Sequence, residues 1–355
     1  MIRIKARAPT GRAAVLPTVW GAVAVGYKFG CPLAQQHGLG ARIVTSAVFF
    51  AVGTGLIFHV RRTLLQELRL ARRAARVAES VVLRPPPPRL DGLDVAAAQL
   101  SADRGACVGG DLYEAVATEY GVRVVMGDVR GHGLAALGTV AVLLGSFREA
   151  AHDEPELGRV LRRLDRTLAR HLRERARAEH PAQGTAEPDN PVAEEFVTVL
   201  LLEIGRDGEL RALNCGHPWP YLLRGTRVDP LTHAEPFPPL GPFPLPAELA
   251  APSCGRLLAG ESLVLFTDGA EDARDGRGNF FALRDVLREV VRDHPESPQT
   301  VLRKVFGALL HHTGEKPADD IAVLVLRNDR KEVQLSGARA PARQTPVRSR
   351  PAPHR

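Results

Sequence analysis

Between residues 90 and 328 the apolar positions follow two different periods. Short runs of branched and large apolar residues at 122–127, 196–204, 209–214, 220–224, 262–267 and 321–327 predict β-strands. Longer stretches at 134–151, 156–172, 283–293 and 299–312 have apolar residues every three or four positions and predict helices. The strands come in consecutive runs and the helices are grouped apart from them. That order predicts a layered α+β domain with largely antiparallel sheets; a doubly wound parallel sheet fits less well.

Upstream the pattern changes. Residues 1–60 hold no acidic residue and contain two apolar stretches, 13–27 and 43–60. The second has His59 as its one titratable group and is close to the length needed to cross about 30 Å of hydrocarbon. Arg61 and Arg62 follow it, Arg3, Lys5, Arg7 and Arg12 precede the first stretch, and the connection holds only Lys28 and Arg42. Two spans with both ends cytoplasmic satisfy the positive-inside rule, which puts the anchor in the cell membrane and the downstream domain in the cytoplasm. A soluble hairpin of buried helices is the other reading.

Over residues 61–83, Leu64, Leu68, Ala71, Ala75, Ala78 and Val82 are spaced alternately by four and three, a heptad seam. It predicts either a coiled-coil homodimer or a single amphipathic helix resting on the domain or on anionic lipid. Pro85, Pro86, Pro87 and Pro88 stop that helix. The expected organisation is therefore 1–60 membrane anchor, 61–89 linker helix and Pro-rich hinge, 90–328 folded α+β domain, and 329–355 disordered basic tail.

Charge sharpens this division. The net +7 conceals +12 over residues 1–89 and +5 over 329–355, against 26 basic and 36 acidic residues, a net −10, over 90–328. Basic ends on an acidic domain argue against nucleic acid as a partner. Cys31, Cys107, Cys215 and Cys254 show no CxxC pairing, which argues against a disulfide framework or a cysteine zinc site.

Four motifs in the middle domain place Asp beside glycine or at the end of an apolar strand: Gly109-Gly110-Asp111, Gly127-Asp128-Val129-Arg130-Gly131-His132-Gly133, Thr267-Asp268-Gly269 and Asp319-Asp320-Ile321. One Gly-Asp pair is an ordinary turn or cap. Four of them supply carboxylates with no Lys or Arg partner in three of the motifs. Divalent cations relieve the resulting repulsion, and all-oxygen ligands favour Mn²⁺ or Mg²⁺ over zinc.

In order, the blocks CVGGDLYEAV, MGDVRGHGLAAL, EEFVTVLLLEI, LNCGHPWPYLL, PPLGPF, LLAGESLVLFTDGAEDA and ADDIAVLVL resemble the PPM-type (PP2C-like) serine/threonine phosphatases, in their bacterial SpoIIE/RsbU-like branch. The short anchor joined through RPPPP is similar to a membrane-anchored actinobacterial group. The resemblance implies an αββα sandwich with two Mn²⁺ or Mg²⁺ ions between the sheets. It further implies Asp128 bridging both ions, the Val129 carbonyl and Asp111 on one ion, and Asp268 and Asp319 on the other. The substrate it implies is a phosphorylated protein, with anti-sigma-factor antagonists as the class.

Departures from the family pattern are Arg130 where a small residue is usual, Ala322 where Thr is frequent, and Phe280-Phe281 where Phe-Gly is frequent. Arg130 either contacts substrate phosphate or points to solvent. His132, between two glycines, is the candidate leaving-group acid, or it bonds a loop carbonyl. His217 reads as the fixing residue of a turn. A catalytically silent module that binds a signalling partner at the membrane is the alternative function.

Overall fold

The structure, a computed structural model, describes residue 20 and residues 39–100, 109–131, 133–179, 195–292, 296–314 and 317–330. The remainder of the first apolar stretch, His132, Cys31, Cys107 and the tail from 331 lie outside the described residues. So do the side chains of the seam residues Leu68, Ala71 and Ala75.

Helix α1 (Leu39–Val82) is continuous through residues 60 and 61, so the second apolar stretch and the linker form one helix. Its 44 residues at about 1.5 Å each make a rod on the order of 66 Å long. Trp20 lies against it, with ring centroids 5.4 Å from Phe49. Two helices among the described residues are long and apolar enough to cross a membrane. One is Ser46–Glu67, none of whose apolar window is buried; the other is Leu134–Asp153, half-buried in the domain core.

The domain that follows is a pair of stacked antiparallel sheets. Strands β1 (Arg89–Leu90), β2 (Leu93–Leu100), β3 (Asp111–Thr118) and β4 (Gly121–Val129) are followed by helices α2 (Leu134–Asp153) and α3 (Leu157–Glu179). Then come β5 (Val197–Ile204), β6 (Glu209–Cys215), β7 (Tyr221–Arg224), β8 (Arg227–Pro230), β9 (Ser253–Arg256) and β10 (Ser262–Phe266). Helices α4 (Leu283–Val290) and α5 (Pro298–His312) precede β11 (Ile321–Asn328). One sheet has the order β1-β2-β11-β10-β7-β8 and the other β3-β4-β5-β6-β9.

Strand periodicity builds the layers. Along β4, Val122, Val124 and Met126 enter the core between the sheets, while Val125 and Val129 enter a second core under α2 and α3. On β11, Ala322, Leu324 and Leu326 face the other sheet, and Ile321, Val323 and Val325 pack under α4 and α5. Both faces of these strands are covered, so they read as unbroken apolar runs in an antiparallel setting. The expected αββα sandwich is the observed fold. β1, β2, β3, β8 and β9 are additional to the strands expected from the sequence.

A fully buried arginine ties the second sheet to its helices. Arg123 pairs with Glu203 at 2.7 Å and donates to the carbonyls of Ala151, Glu154 and Pro155, closing the α2–α3 turn onto β4. At the end of α1, Arg148 of α2 donates to the Val82 carbonyl at 3.1 Å and pairs with Glu114 at 2.7 Å, while Leu83 is buried in the core beneath α2. The two ends of the domain meet at one corner. Arg89 pairs with Asp94 and Asp329, and Arg330 donates to the carbonyls of Asp91 and Gly205.

Candidate metal centre

Strand pairing makes the first half of the site. Asp111 opens β3 and stands directly opposite Asp128 near the end of β4, so one hairpin brings two carboxylates to the same sheet edge. The other sheet supplies the rest from its facing edge. Phe266, the last residue of β10, is opposite Val323; Thr267 and Asp268 continue past it, and Asp319 and Asp320 run into β11. Two Thr267–Ala322 hydrogen bonds, N–H to carbonyl at 3.1 Å and Oγ1 from the Ala322 N–H at 2.9 Å, hold these strand ends together.

Glycines let the strands meet. Gly110 and Val129 are hydrogen-bonded, Val129 N–H to Gly110 carbonyl at 3.1 Å. A methyl on Gly110 would stand 2.8 Å from Asp128 Oδ1 and collide with the Val129 carbonyl oxygen. Gly131 and Gly133 have φ of 104° and 87°, backbone that other residues rarely adopt, and they carry the chain from β4 into α2.

The convergence has an electrostatic consequence. Asp111, 2% exposed, is held well above the usual carboxylate range by burial, then by Asp128, Asp320 and Asp268, with the Thr267 hydroxyl opposing. Asp128 is pushed up to about 7 by burial and by Asp268, Asp319 and Asp320. Asp268 is raised by burial and by Asp319. Like charges gathered in a partly desolvated place favour protons, or cations in their stead.

Thr267, fully buried, joins the sheets across this cluster by donating from Oγ1 to Asp111 Oδ2 at 3.1 Å. Its hydroxyl thus serves both Asp111 and the Ala322 main chain. Thr198 on β5 accepts from the Asp128 N–H at 3.1 Å. Neither threonine was singled out from the sequence.

Of the residues expected at the site, Asp111, Asp128, Val129, Asp268 and Asp319 come together, and His132 lies outside the described residues. Asp320 was missed as a site residue. Its charge acts on both Asp111 and Asp128, which the choice of Asp319 alone did not anticipate. Arg130 is exposed, its guanidinium 5.3 Å over the Phe196 ring and its N–H on the Phe196 carbonyl at 3.0 Å. Phe281 is buried under α4 and α5, and Phe280 is exposed with Arg274 stacked on it at 4.0 Å.

The donor set fits hard divalent cations: carboxylate and carbonyl oxygens, no sulfur, and a glycine cradle that leaves room beside Asp128 and Val129. Among the described residues the side chains do not close into a ready-made cage of three ligands. Mg²⁺ is commonly held by one or two carboxylates with the balance made up by water, so such a cage is not required.

A family model described as stage II sporulation protein E (SpoIIE) matches residues 118–329, more than half of the chain. Among solved structures, the RsbU and RsbW domains of Rv1364c from Mycobacterium tuberculosis align at 23% identity with a TM-score of 0.52. That alignment covers 69% of this chain and 62% of the other. The SiaA-PP2C domain of Pseudomonas aeruginosa aligns at 20% identity with a TM-score of 0.51, over 75% of this chain and 98% of that domain. At these identities the two structures establish the shared fold. A search of curated protein sequences gave no match.

Proposed function

The chain belongs to the SpoIIE family of PPM-type phosphatase domains, and from that premise we propose that it is a divalent-cation-dependent enzyme that removes phosphate from phosphoserine or phosphothreonine in a signalling protein. The observation that carries this reading is the convergence of Asp111, Asp128, Asp268, Asp319 and Asp320 from both sheets, where burial first and neighbouring carboxylates second hold Asp111, Asp128 and Asp268 above their ordinary pKa.

Asp128 would stand between two Mn²⁺ or Mg²⁺ ions, with Asp111 and the Val129 carbonyl toward one and Asp268 and Asp319 toward the other; Asp320 joins the set by its place beside Asp111 and Asp128. When bound, such ions supply a nucleophile from water near neutral pH and neutralise charge on the phosphoryl oxygens. The chain's own residues prepare that arrangement. Thr198 holds the Asp128 main chain and Thr267 holds the Asp111 carboxylate, and bound cations would take the place of the protons these carboxyls favour. Arg130, resting on Phe196 at the exposed rim, offers a guanidinium for the substrate phosphate.

The proposed substrate class is an anti-sigma-factor antagonist. The proposed location is the cytoplasmic face of the cell membrane, supported by the exposed apolar span Ser46–Glu67 and the basic residues flanking it.

The test is phosphate release from a phosphoserine protein by the full chain in detergent, with and without Mn²⁺, beside Asp128→Ala. Turnover that needs the metal and is lost in the variant is the expected result. Metal binding without turnover in the wild-type chain would overturn the enzyme reading in favour of a silent binding module.

A further inference from the structure

Immediately under the carboxylates is a buried polar group to which the phosphatase reading gives no task. His217 follows β6 and is 4% exposed. Its main chain is fully engaged by Asn214, which accepts from the His217 N–H at 2.8 Å and donates to the His217 carbonyl at 2.7 Å. Those two bonds close the turn without any help from an imidazole, so the ring needs another explanation.

The ring reaches across to β5. The β5–β6 register pairs Val199 with Cys215, which brings the residue before Val199 beside the turn. There, His217 Nδ1 is 3.0 Å from Thr198 Oγ1, the same oxygen that lies 3.1 Å from the Asp128 nitrogen. Donor and acceptor roles along this chain can be assigned. The Asp128 N–H can only donate, so the Thr198 hydroxyl accepts there and keeps one proton to place.

Burial pushes the His217 pKa down to about 3, so the ring is neutral at physiological pH and carries one proton. Nε2 is buried and makes no hydrogen bond, and the Phe266 main chain beside the ring favours a proton on it. A proton on Nε2 leaves the Nδ1 lone pair free for the Thr198 hydroxyl.

From this geometry we propose that His217 is a positioning residue: as its Nε2–H tautomer it accepts the Thr198 hydroxyl proton, which fixes that hydroxyl as acceptor for the Asp128 N–H and sets the end of β4 from which Asp128 and Val129 present oxygens to the cations. The inference deepens the phosphatase reading and rests on it for the identity of the cations. The order Asp128 N–H to Thr198 Oγ1 to His217 Nδ1 runs one way, and Thr198 cannot turn its proton toward Asp128 while it holds. Ring and hydroxyl together make the second layer through which β6 supports a residue on β4, two strands away.

Two measurements on the full chain in detergent test this without relying on turnover. The first is the side-chain ¹⁵N spectrum of the histidines, with His217 assigned by its loss in His217→Gln. The expected result is a neutral ring with a bare Nδ1 between about pH 5 and pH 8. A proton on Nδ1, or a charged ring in that range, overturns the proposal.

The second is Mn²⁺ affinity read from the electron paramagnetic resonance of free Mn²⁺. His217→Ala and Thr198→Val are each expected to weaken binding about ten- to a hundred-fold, as loss of an outer-layer partner does. Thr198→Ser should retain wild-type affinity, and the double variant should be no weaker than the worse single one. Affinities within about twofold of wild type in folded variants, or fully additive losses, overturn it. Thr198→Val exchanges a hydroxyl for a methyl and decides the matter if His217→Ala fails to fold. Mn²⁺ bound as expected but without turnover would end the phosphatase reading and leave the positioning role standing; if wild type binds no Mn²⁺, the tautomer alone decides.

Discussion

Replacing Asp128 by Asn should make the metal-free protein more stable at alkaline pH while removing its activity. The carboxyl of Asp128 has been lifted from its ordinary 3.8 to about 7 by burial and by Asp268, Asp319 and Asp320. A group raised in this way contributes stability that is complete below its unfolded value and is lost as pH rises through its folded value. At about 1.36 kcal/mol per pH unit, ionising Asp128 in the metal-free fold costs on the order of 4 kcal/mol above neutral pH. Asn has nearly the same shape, keeps the N–H that Thr198 accepts, and never ionises. In EDTA the variant should gain up to that amount at about pH 8, roughly 1.6 kcal/mol at about pH 5, where the unfolded chain alone has ionised, and almost nothing below about pH 3.8. For a domain of this size about 1 kcal/mol moves Tm by roughly 2–4 °C, so the shift at alkaline pH is large enough for calorimetry. Adding Mn²⁺ should reverse the order, because wild type alone regains what the cations return. A variant no more stable than wild type at alkaline pH in EDTA, or stabilised equally at both pH values, would refute the electrostatic account of the cluster.

Other changes follow from the same contacts. Gly110→Ala places a methyl against Asp128 Oδ1 and into the Val129 carbonyl, so the β3–β4 main chain must shift, and both Mn²⁺ binding measured by calorimetry and the melting temperature should fall. Arg123→Met strands Glu203 and three carbonyls, and should cost about 3–5 kcal/mol in urea unfolding. Thr267→Val removes a donor from Asp111 and an acceptor from the Ala322 N–H. A loss of about 1–3 kcal/mol is expected, with the Mn²⁺ concentration for half-maximal turnover displaced upward.

What could be read from the sequence depended on how each element is covered. β4, β5 and β11 are apolar on both faces because each face has its own core, and the eye finds such runs easily. β2, with Ala96, Ala97 and Ala98 in its middle, has little intrinsic β preference and is a strand because β11 pairs with it along its whole length. β8 and β9 are four-residue edges whose polar side chains leave no alternation to follow.

Asp111, Asp128, Asp268 and Asp319 were visible because each stands in a short glycine- or strand-bounded motif. The choice between Asp319 and Asp320 was not available, since both precede β11 and no strand period yet separates their directions. Thr198, Thr267 and the link from the His217 ring toward Asp128 were not legible for a different reason. Their partners lie 70, 156 and 19 positions away, and pairing register between strands, not local spacing, brings them together.

The corner where the domain begins and ends sets how it would respond to a pull. Arg89 and Asp329 join the two ends, and just inside them Leu93 of β2 pairs with Asn328 of β11. Tension between the anchor and the tail therefore acts on the same end of an antiparallel strand pair. In that unzipping geometry the ladder bonds are strained one after another, not all at once in shear, and each yields at low force. Peeling would start with Arg89 and Arg330 and travel along β11 toward Ile321, about 25 Å away. Asp319 and Asp320 lie beyond that far end, so the carboxylates would be the last part of the strand to feel the load.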